Sequence, residues 1–170
     1  MTAATGAPGS ATAAPPRSSV EQARLDAALT QLFEQRITFN QILGLHVLAL
    51  RPGDVRIGFE MRPTLVGQYS TGRLHGGVTS AALDNVGALA LMVAIADHHR
   101  GETAMQVMQR FSRMGTIDLR VDYLRPGQSE RFEASAEVMR LGGRVATTQM
   151  RLRAADGTLV ATGAAAYIVS

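Results

Sequence analysis

The stretch LHGGVTSAALDNVGALALMVAIA, Leu74 to Ala96, holds the residues best suited to chemistry. Its last 19 residues, Val78 to Ala96, carry Asp84 as their only charged side chain. A carboxylate loses its water on burial, so one is kept in an apolar run for a partner or a task. Near an activated carbonyl, a partly buried carboxylate can deprotonate water or attack the carbonyl carbon directly. The plain alternative is an Asp satisfied by a hydroxyl or a backbone N–H in a structural role. His75-Gly76-Gly77 opens the run. A helix starting near Gly76 presents free N–H groups and the positive end of its dipole, and glycines let a ligand come close. Such an end binds an anion or polarises a carbonyl oxygen. By themselves the glycines are better explained by tight packing of the helix start.

Asp84 lies eight residues after Gly76. At ~1.5 Å rise per residue the separation is about 12 Å along one helix. A side chain leaning toward the N-terminus does not close that gap. If the two groups share a site, each comes from a different subunit, with two such helices side by side and antiparallel. The expectation is an obligate dimer with two sites astride its interface.

The elements that must position these residues follow from periodicity. Val20 to about Gln41 reads as a helix, with Ala23, Ala27, Ala28, Leu32 and Phe33 at helical spacing. Leu45 to Leu50 and Val55 to Met61 read as strands around the turn Arg51-Pro52-Gly53-Asp54, and Pro63 to Arg73 as a loop. The apolar helix follows. Asp97 to Met114 suggests a short amphipathic helix, with Met105, Met108 and Phe111 three apart. Four strands close the chain: Thr116 to Leu124, Phe132 to Leu141, Val145 to Ala154 and Leu159 to Val169. Gly142-Gly143 and Asp156-Gly157 are hairpin turns, so these strands pair antiparallel. The sum is an α+β fold: about six antiparallel strands curved around one helix that is apolar on nearly every side.

By length the apolar run could cross a bilayer. Asp84 and Asn85 near its middle oppose that, since an ionised side chain there costs roughly 2.5–3.5 kcal/mol. A buried core helix is expected, and no membrane span.

The 170 residues suffice for one domain with a real core. There is no Cys, which excludes disulfides and thiolate metal sites. The net charge is +3 and every one of the 17 basic residues is Arg. That mild balance suits an anionic ligand but brings no basic stripe with interleaved aromatics, so no nucleic-acid partner is expected. Residues 1–19 are rich in Ala, Pro, Ser, Thr and Gly, with one Arg, and read as a disordered tail before a domain over 20–170. The tail has neither the basic start nor the apolar centre of a secretory signal, and the expected location is the cytoplasm.

His75-Gly76-Gly77 followed by Leu83-Asp84 and Gly87 resembles the PaaI-type hotdog thioesterases, whose Asp falls nine residues after the His inside the central helix. The likeness extends over most of Phe39 to Val169. It includes Leu43-Gly44, the Pro63 loop and a strand ending in Asp122-Tyr123-Leu124-Arg125-Pro126. The stretch Arg113 to Gly127 is similar, more closely still, to the YigI-type branch of medium- and long-chain acyl-CoA thioesterases. The resemblance implies the wrapped sheet, a dimer, and hydrolysis of coenzyme A thioesters; no cofactor or metal is expected. It leaves a tetramer of two dimers open. It implies that the Gly76 N–H binds the thioester oxygen, with Gly77 beside it. Asp84 of the other subunit would be general base or nucleophile, His75 would orient the site, and Thr116 would position water. Gln68 would take the place of an Asn or Gln that precedes the glycines in relatives, with Tyr69 as its competitor.

Coenzyme A carries phosphates, so Arg residues are expected at the tunnel mouth. Arg125, at a strand end, and Arg144, after a hairpin turn, are candidates, with Arg110 and Arg113 after the central helix on the same footing; a plain surface role is the alternative for each. Met105, Met108, Phe111 and Met114 could line an acyl tunnel, although ordinary packing explains them too. His98-His99 has no accompanying carboxylate cluster, and no metal is expected there; His46 reads as structural. Two other readings compete: a non-catalytic acyl-CoA-binding or regulatory hotdog domain, and a hotdog hydratase. Asp84 opposes the first. The want of a second acid/base residue beside Asp84 opposes the second.

Overall fold

The computed structural model describes residues 15–170; residues 1–14, most of the expected tail, lie outside the described part. Arg17, inside the stretch read as tail, is held at four points. Its guanidinium donates to the carbonyls of Ala96, His99 and Glu102 and to Gln22 Oε1, at 2.8–3.1 Å. Arginine thus satisfies carbonyls that the end of the central helix leaves open.

The helix expected over Val20 to Gln41 is interrupted. Helix α1 spans Ser19–Gln31, capped by the Ser18 hydroxyl. A widened π turn follows over Leu32–Arg36, and α2 covers Thr38–Leu43 after a break at Ile37. The buried Asn40 side chain donates to Phe33 O at 3.1 Å and holds the break together. The extra residue in the turn is tertiary in origin: it lets Leu25, Leu29, Phe33 and Leu43 all reach the core. Gly44, at φ +67°, ends α2 in the left-handed conformation that favours glycine.

Strands β1 (His46–Arg51) and β2 (Asp54–Glu60) form the first hairpin. The stretch expected as a plain loop holds a short 3-10 turn and a small ribbon of β3 (Val66–Gln68) and β4 (Arg73–Leu74). Helix α3 (Gly76–His98) follows, then α4 (Ala104–Arg110) behind a Thr103/Gln106 capping box. Strands β5 (Gly115–Tyr123), β6 (Arg131–Leu141), β7 (Val145–Ala154) and β8 (Leu159–Ile168) complete the chain. The main sheet has six antiparallel strands in the order β1-β2-β6-β7-β8-β5. It curves around α3, which lies mainly across β6 and β7; this is the hotdog arrangement. Helix α3 is long and apolar enough to cross a membrane, but two-thirds of its most apolar window is buried inside the protein.

Alternation along the strands sends Ile57, Phe59, Phe132, Ala134, Met150, Leu152 and Tyr167 onto the helix. In α4 and the turn after it, Ala104, Val107 and Phe111 are the buried positions. Met108 and Met114 pack half-buried on the core, while Met105 points outward at 70% exposure and borders, with Met108, a surface cavity against α1.

Candidate active site

The start of α3 is built by the residues before it. The His75 N–H donates to Leu65 O at 2.9 Å, and Gly67 lies so close that a Cβ there would come within 2.6 Å of His75 Cα. Held this way, His75 becomes the N-cap of α3: its Nδ1 accepts from the Gly77 N–H at 2.8 Å. Two consequences follow. The neutral imidazole carries its proton on Nε2, which leaves that nitrogen free to donate. The Gly77 N–H is spent on His75, so the N–H left open toward a ligand is that of Gly76, which has no acceptor among the described residues. Tyr123 packs its ring against Gly76 and donates its hydroxyl to Gly76 O at 3.0 Å.

Asp84 sits half-buried on α3, two turns further on. Its Oδ1 accepts from Thr116 Oγ1 at 2.9 Å and lies 3.3 Å from the Tyr167 hydroxyl. The same hydroxyl lies 3.1 Å from the backbone oxygen of Asp84. Thr116 reaches this position through a bulge. Along β5, Leu119, Val121 and Tyr123 alternate toward the helix, and strict alternation would turn Thr116 outward. The pairing with β8 skips Ile117: Asp118 opposes Ala166, and Thr116 opposes Tyr167. The extra residue re-aims Thr116 onto the helix beside Tyr167, so both hydroxyls meet one carboxylate oxygen.

Tyr167 is 1% exposed, and its phenol loses its proton far less readily than usual, because burial and then the charge of Asp84 disfavour the phenolate. It fits under the helix only because residue 87 is glycine. A Cβ at Gly87 would overlap the Tyr167 hydroxyl and come within 3.0 Å of Thr148 Oγ1.

Of the residues singled out from sequence, Asp84 and Thr116 come together, and so do His75, Gly76 and Gly77. The two groups stay apart within one chain: eight residues of continuous helix separate Gly76 from Asp84, or about 12 Å. Gln68 is exposed at the end of β3, opposite Arg73, and donates to Ser70 Oγ at 3.3 Å. Tyr69 is almost wholly exposed. Arg125 and Arg144 lie at opposite ends of the sheet. Arg125 follows β5 and donates to Leu159 O at 3.2 Å; the carbonyl of Arg144 accepts from Val169 N–H beside Gly115 and Ile168. A cleft of about 850 Å³ lies beyond Thr116 at the far end of α3, among Ile95, His98, Arg110, Arg113, Leu141 and Val169; it brings together the two phosphate candidates Arg110 and Arg113 but not His75, Gly76, Asp84 or Thr116.

Tyr167 and Tyr123 were not legible as site residues. Two signals bear on Tyr167. A Tyr at an inward strand position needs a partner for its hydroxyl, and a glycine one turn after a buried Asp marks a close approach.

Residues 71–161 match the thioesterase superfamily. The chain is 37% identical over 139 residues to the medium/long-chain acyl-CoA thioesterase YigI of Salmonella typhimurium, covering 82% of this chain and 90% of that protein. The YigI protein of Escherichia coli K12 is 36% identical over the same length and coverage. A crystal structure from Shewanella oneidensis, described as related to the thioesterase superfamily, superposes with a TM-score of 0.83 at 34% identity. It covers 90% of this chain and 99% of its own. With the HGG-to-Asp geometry, the wrapped sheet and these likenesses together, the chain belongs to the thioesterase superfamily.

Proposed function

We propose that this protein hydrolyses medium- to long-chain acyl-CoA thioesters as a homodimer, with two sites astride the subunit interface. The observation that carries the reading is the split of the site along β5. The Asp84–Thr116 pair opens at one end of this edge strand and Gly76, against Tyr123, at the other. A second copy related by a two-fold axis brings the halves together, and the relatives named above supply the substrate class.

The two edges of the sheet differ in a way that supports this. On β1, the Val47 N–H is taken by Glu34 Oε1 at 2.7 Å, and a bulge interrupts the strand. Among the described residues, strand β5 leaves its outer edge unpaired and exposes Ile117 and Tyr123, with Leu124 just beyond. An uncovered edge with apolar side chains suits strand pairing with another chain. In an antiparallel pair, opposed residues point to the same face. Setting Thr116 opposite the partner's Tyr123, and skipping the bulged Ile117, puts Arg120 on the axis. Asp118 and Asp122 flank Arg120 with opposite charge.

In such a dimer the Gly76 N–H of one subunit donates to the thioester oxygen and stabilises the negative charge that develops there. His75 Nε2–H orients the group. Asp84 of the other subunit takes a proton from a water that attacks the carbonyl carbon, or attacks that carbon itself and forms an anhydride that water then opens. In either course the C–S bond breaks, the coenzyme A thiolate leaves and is protonated, and the acid is released. Of Arg125 and Arg144, Arg125, two residues past Tyr123, lies at the Gly76 end and is the one placed to meet phosphate.

The test is thiol release from a panel of acyl-CoAs by the wild type and Asp84→Ala, with light scattering for the oligomer. Turnover that falls several hundredfold in a variant of unchanged oligomeric state is expected, in the range for a lost general base. No turnover with any chain length, but tight acyl-CoA binding by both proteins, would replace this reading with a non-catalytic acyl-CoA-binding protein. Light scattering also separates a dimer from a tetramer of two dimers.

A further inference from the structure

The Tyr167 hydroxyl has one proton and two acceptors on the same residue: Asp84 O at 3.1 Å and Asp84 Oδ1 at 3.3 Å. Thr116 brings Oδ1 a second donor at 2.9 Å. Oδ2 has no protein donor among the described residues. We propose that Tyr167 is a positioning residue for the hydrolysis: with Thr116 it ties down Oδ1, so that Oδ2 is the oxygen that reacts. This assignment rests on the thioesterase reading.

The physical reason lies in the torsion that sets a carboxylate plane, which is broad and soft for Asp. One donor on one oxygen leaves the group free to swing about that contact. Two donors from two strands fix the plane and leave one oxygen committed to the reaction. Tyr167 and Thr116 are themselves held as a directly opposed pair on β8 and β5.

The paired acceptors also suit the charge changes of the cycle. While Asp84 is ionised, the charge-assisted bond draws the phenol proton to Oδ1. Asp84 loses its charge when Oδ2 takes the proton of water, or when Oδ2 bonds to the acyl carbon. Oδ1 is then a weaker acceptor, and the proton turns about the phenol C–O bond to the backbone oxygen of Asp84. When Oδ2 gives its proton to the leaving thiolate, or when water opens the anhydride and breaks the bond from Oδ2 to the acyl carbon, Oδ2 regains its lone pair and the proton returns. In neither state is the buried hydroxyl left without a partner. Burial and the Asp84 charge keep the phenol protonated, so Tyr167 donates throughout and is not itself the acid or base. Gly87 makes the arrangement possible, since any side chain there would occupy the place of the hydroxyl.

The experiment is steady-state kinetics of Tyr167→Phe with the best acyl-CoA of the panel. Expected is a fall in kcat of about ten- to a hundredfold, the scale of a lost hydrogen bond to a charged group, with KM within about twofold and the oligomer unchanged. Gly87→Ala, which displaces the hydroxyl without removing it, is expected to give the same kcat-selective loss and stands in if the Phe variant does not fold. A purely structural hydroxyl would lower thermal stability and leave kcat per folded site within twofold of wild type; that result, or a loss confined to KM, overturns the assignment. Wild type and Tyr167→Phe turning over equally overturns the role of Tyr167 alone. Wild type turning over no acyl-CoA overturns the thioesterase reading, and this assignment with it.

Discussion

The Thr116 hydroxyl meets Asp84 Oδ1 at 2.9 Å although 32 residues separate the two in sequence. The contact is made by a central helix and an edge strand, and it exists because β5 skips Ile117 in its pairing with β8. The bulge therefore belongs to the site as much as the hydroxyl does.

Thr116→Val should lower kcat by roughly tenfold or more, while Thr116→Ser, which keeps the hydroxyl, should stay within a few fold of wild type. Deleting Ile117 removes the extra residue, and plain alternation from Leu119 then still turns Thr116 inward opposite Tyr167, so kcat should stay within about tenfold of wild type. A deletion variant that loses as much activity as Thr116→Val would show that a regular ladder does not hold Thr116 opposite Tyr167.

Gly87→Ala should destabilise the fold by about 1–3 kcal/mol, the usual cost of overpacking. The first atom its Cβ meets is the Tyr167 hydroxyl. Tyr167→Phe removes that atom, so the double variant should recover part of the lost stability. The residual cost comes from Thr148 Oγ1 and Met150 Sδ, 3.0 and 3.3 Å from the same Cβ. Denaturant unfolding of the four proteins gives the coupling; strictly additive changes would contradict the contact.

Alkaline pH offers a separate readout. Burial and the Asp84 carboxylate push the Tyr167 phenol above its ordinary range. In the unfolded chain the phenol loses its proton near pH ~10, while the folded chain keeps it. Above that pH the folded state binds more protons than the unfolded one, so stability is full below about pH 10 and declines as pH rises further. The urea midpoint of the wild type should fall more steeply from pH ~10 to ~11 than that of Tyr167→Phe. Parallel curves would mean that Tyr167 titrates alike in both states.

With no native cysteine, the interface register can be tested by crosslinking. Arg120→Cys places two thiols on the proposed axis, where opposed Cα atoms lie about 4.5–5.5 Å apart, within the reach of a disulfide. Mild oxidation should give a covalent dimer that keeps thioesterase activity. Leu48→Cys, exposed on the covered β1 edge, should not crosslink. The reverse pattern would move the interface to β1.

Much of the fold is legible in the chain because its causes are local. Gly142-Gly143 and Asp156-Gly157 announce hairpins, and the inward-outward alternation of β6, β7 and β8 gives their faces. The apolar run of α3 is read within two residues of its true ends. The break at Ile37 is not legible, because the widened turn answers to the core it faces and to Asn40 bonding back to Phe33. The small ribbon in the Pro63 loop escapes notice for a like reason: its strands are too short to show a period.

The sequence alone determined which residues could act. If a lone carboxylate in an apolar helix and a glycine-opened N-terminus eight residues away serve one site, that site needs two chains, because helix rise is fixed. Tertiary structure decided how they are placed. It spends the Gly77 N–H on His75 and leaves that of Gly76 open, and it turns Thr116 inward through a bulge. It also brings Tyr167, 83 residues from Asp84, under Gly87 onto the same carboxylate. Those outcomes depend on strand register and on close approach between distant segments, which no local pattern in the chain records.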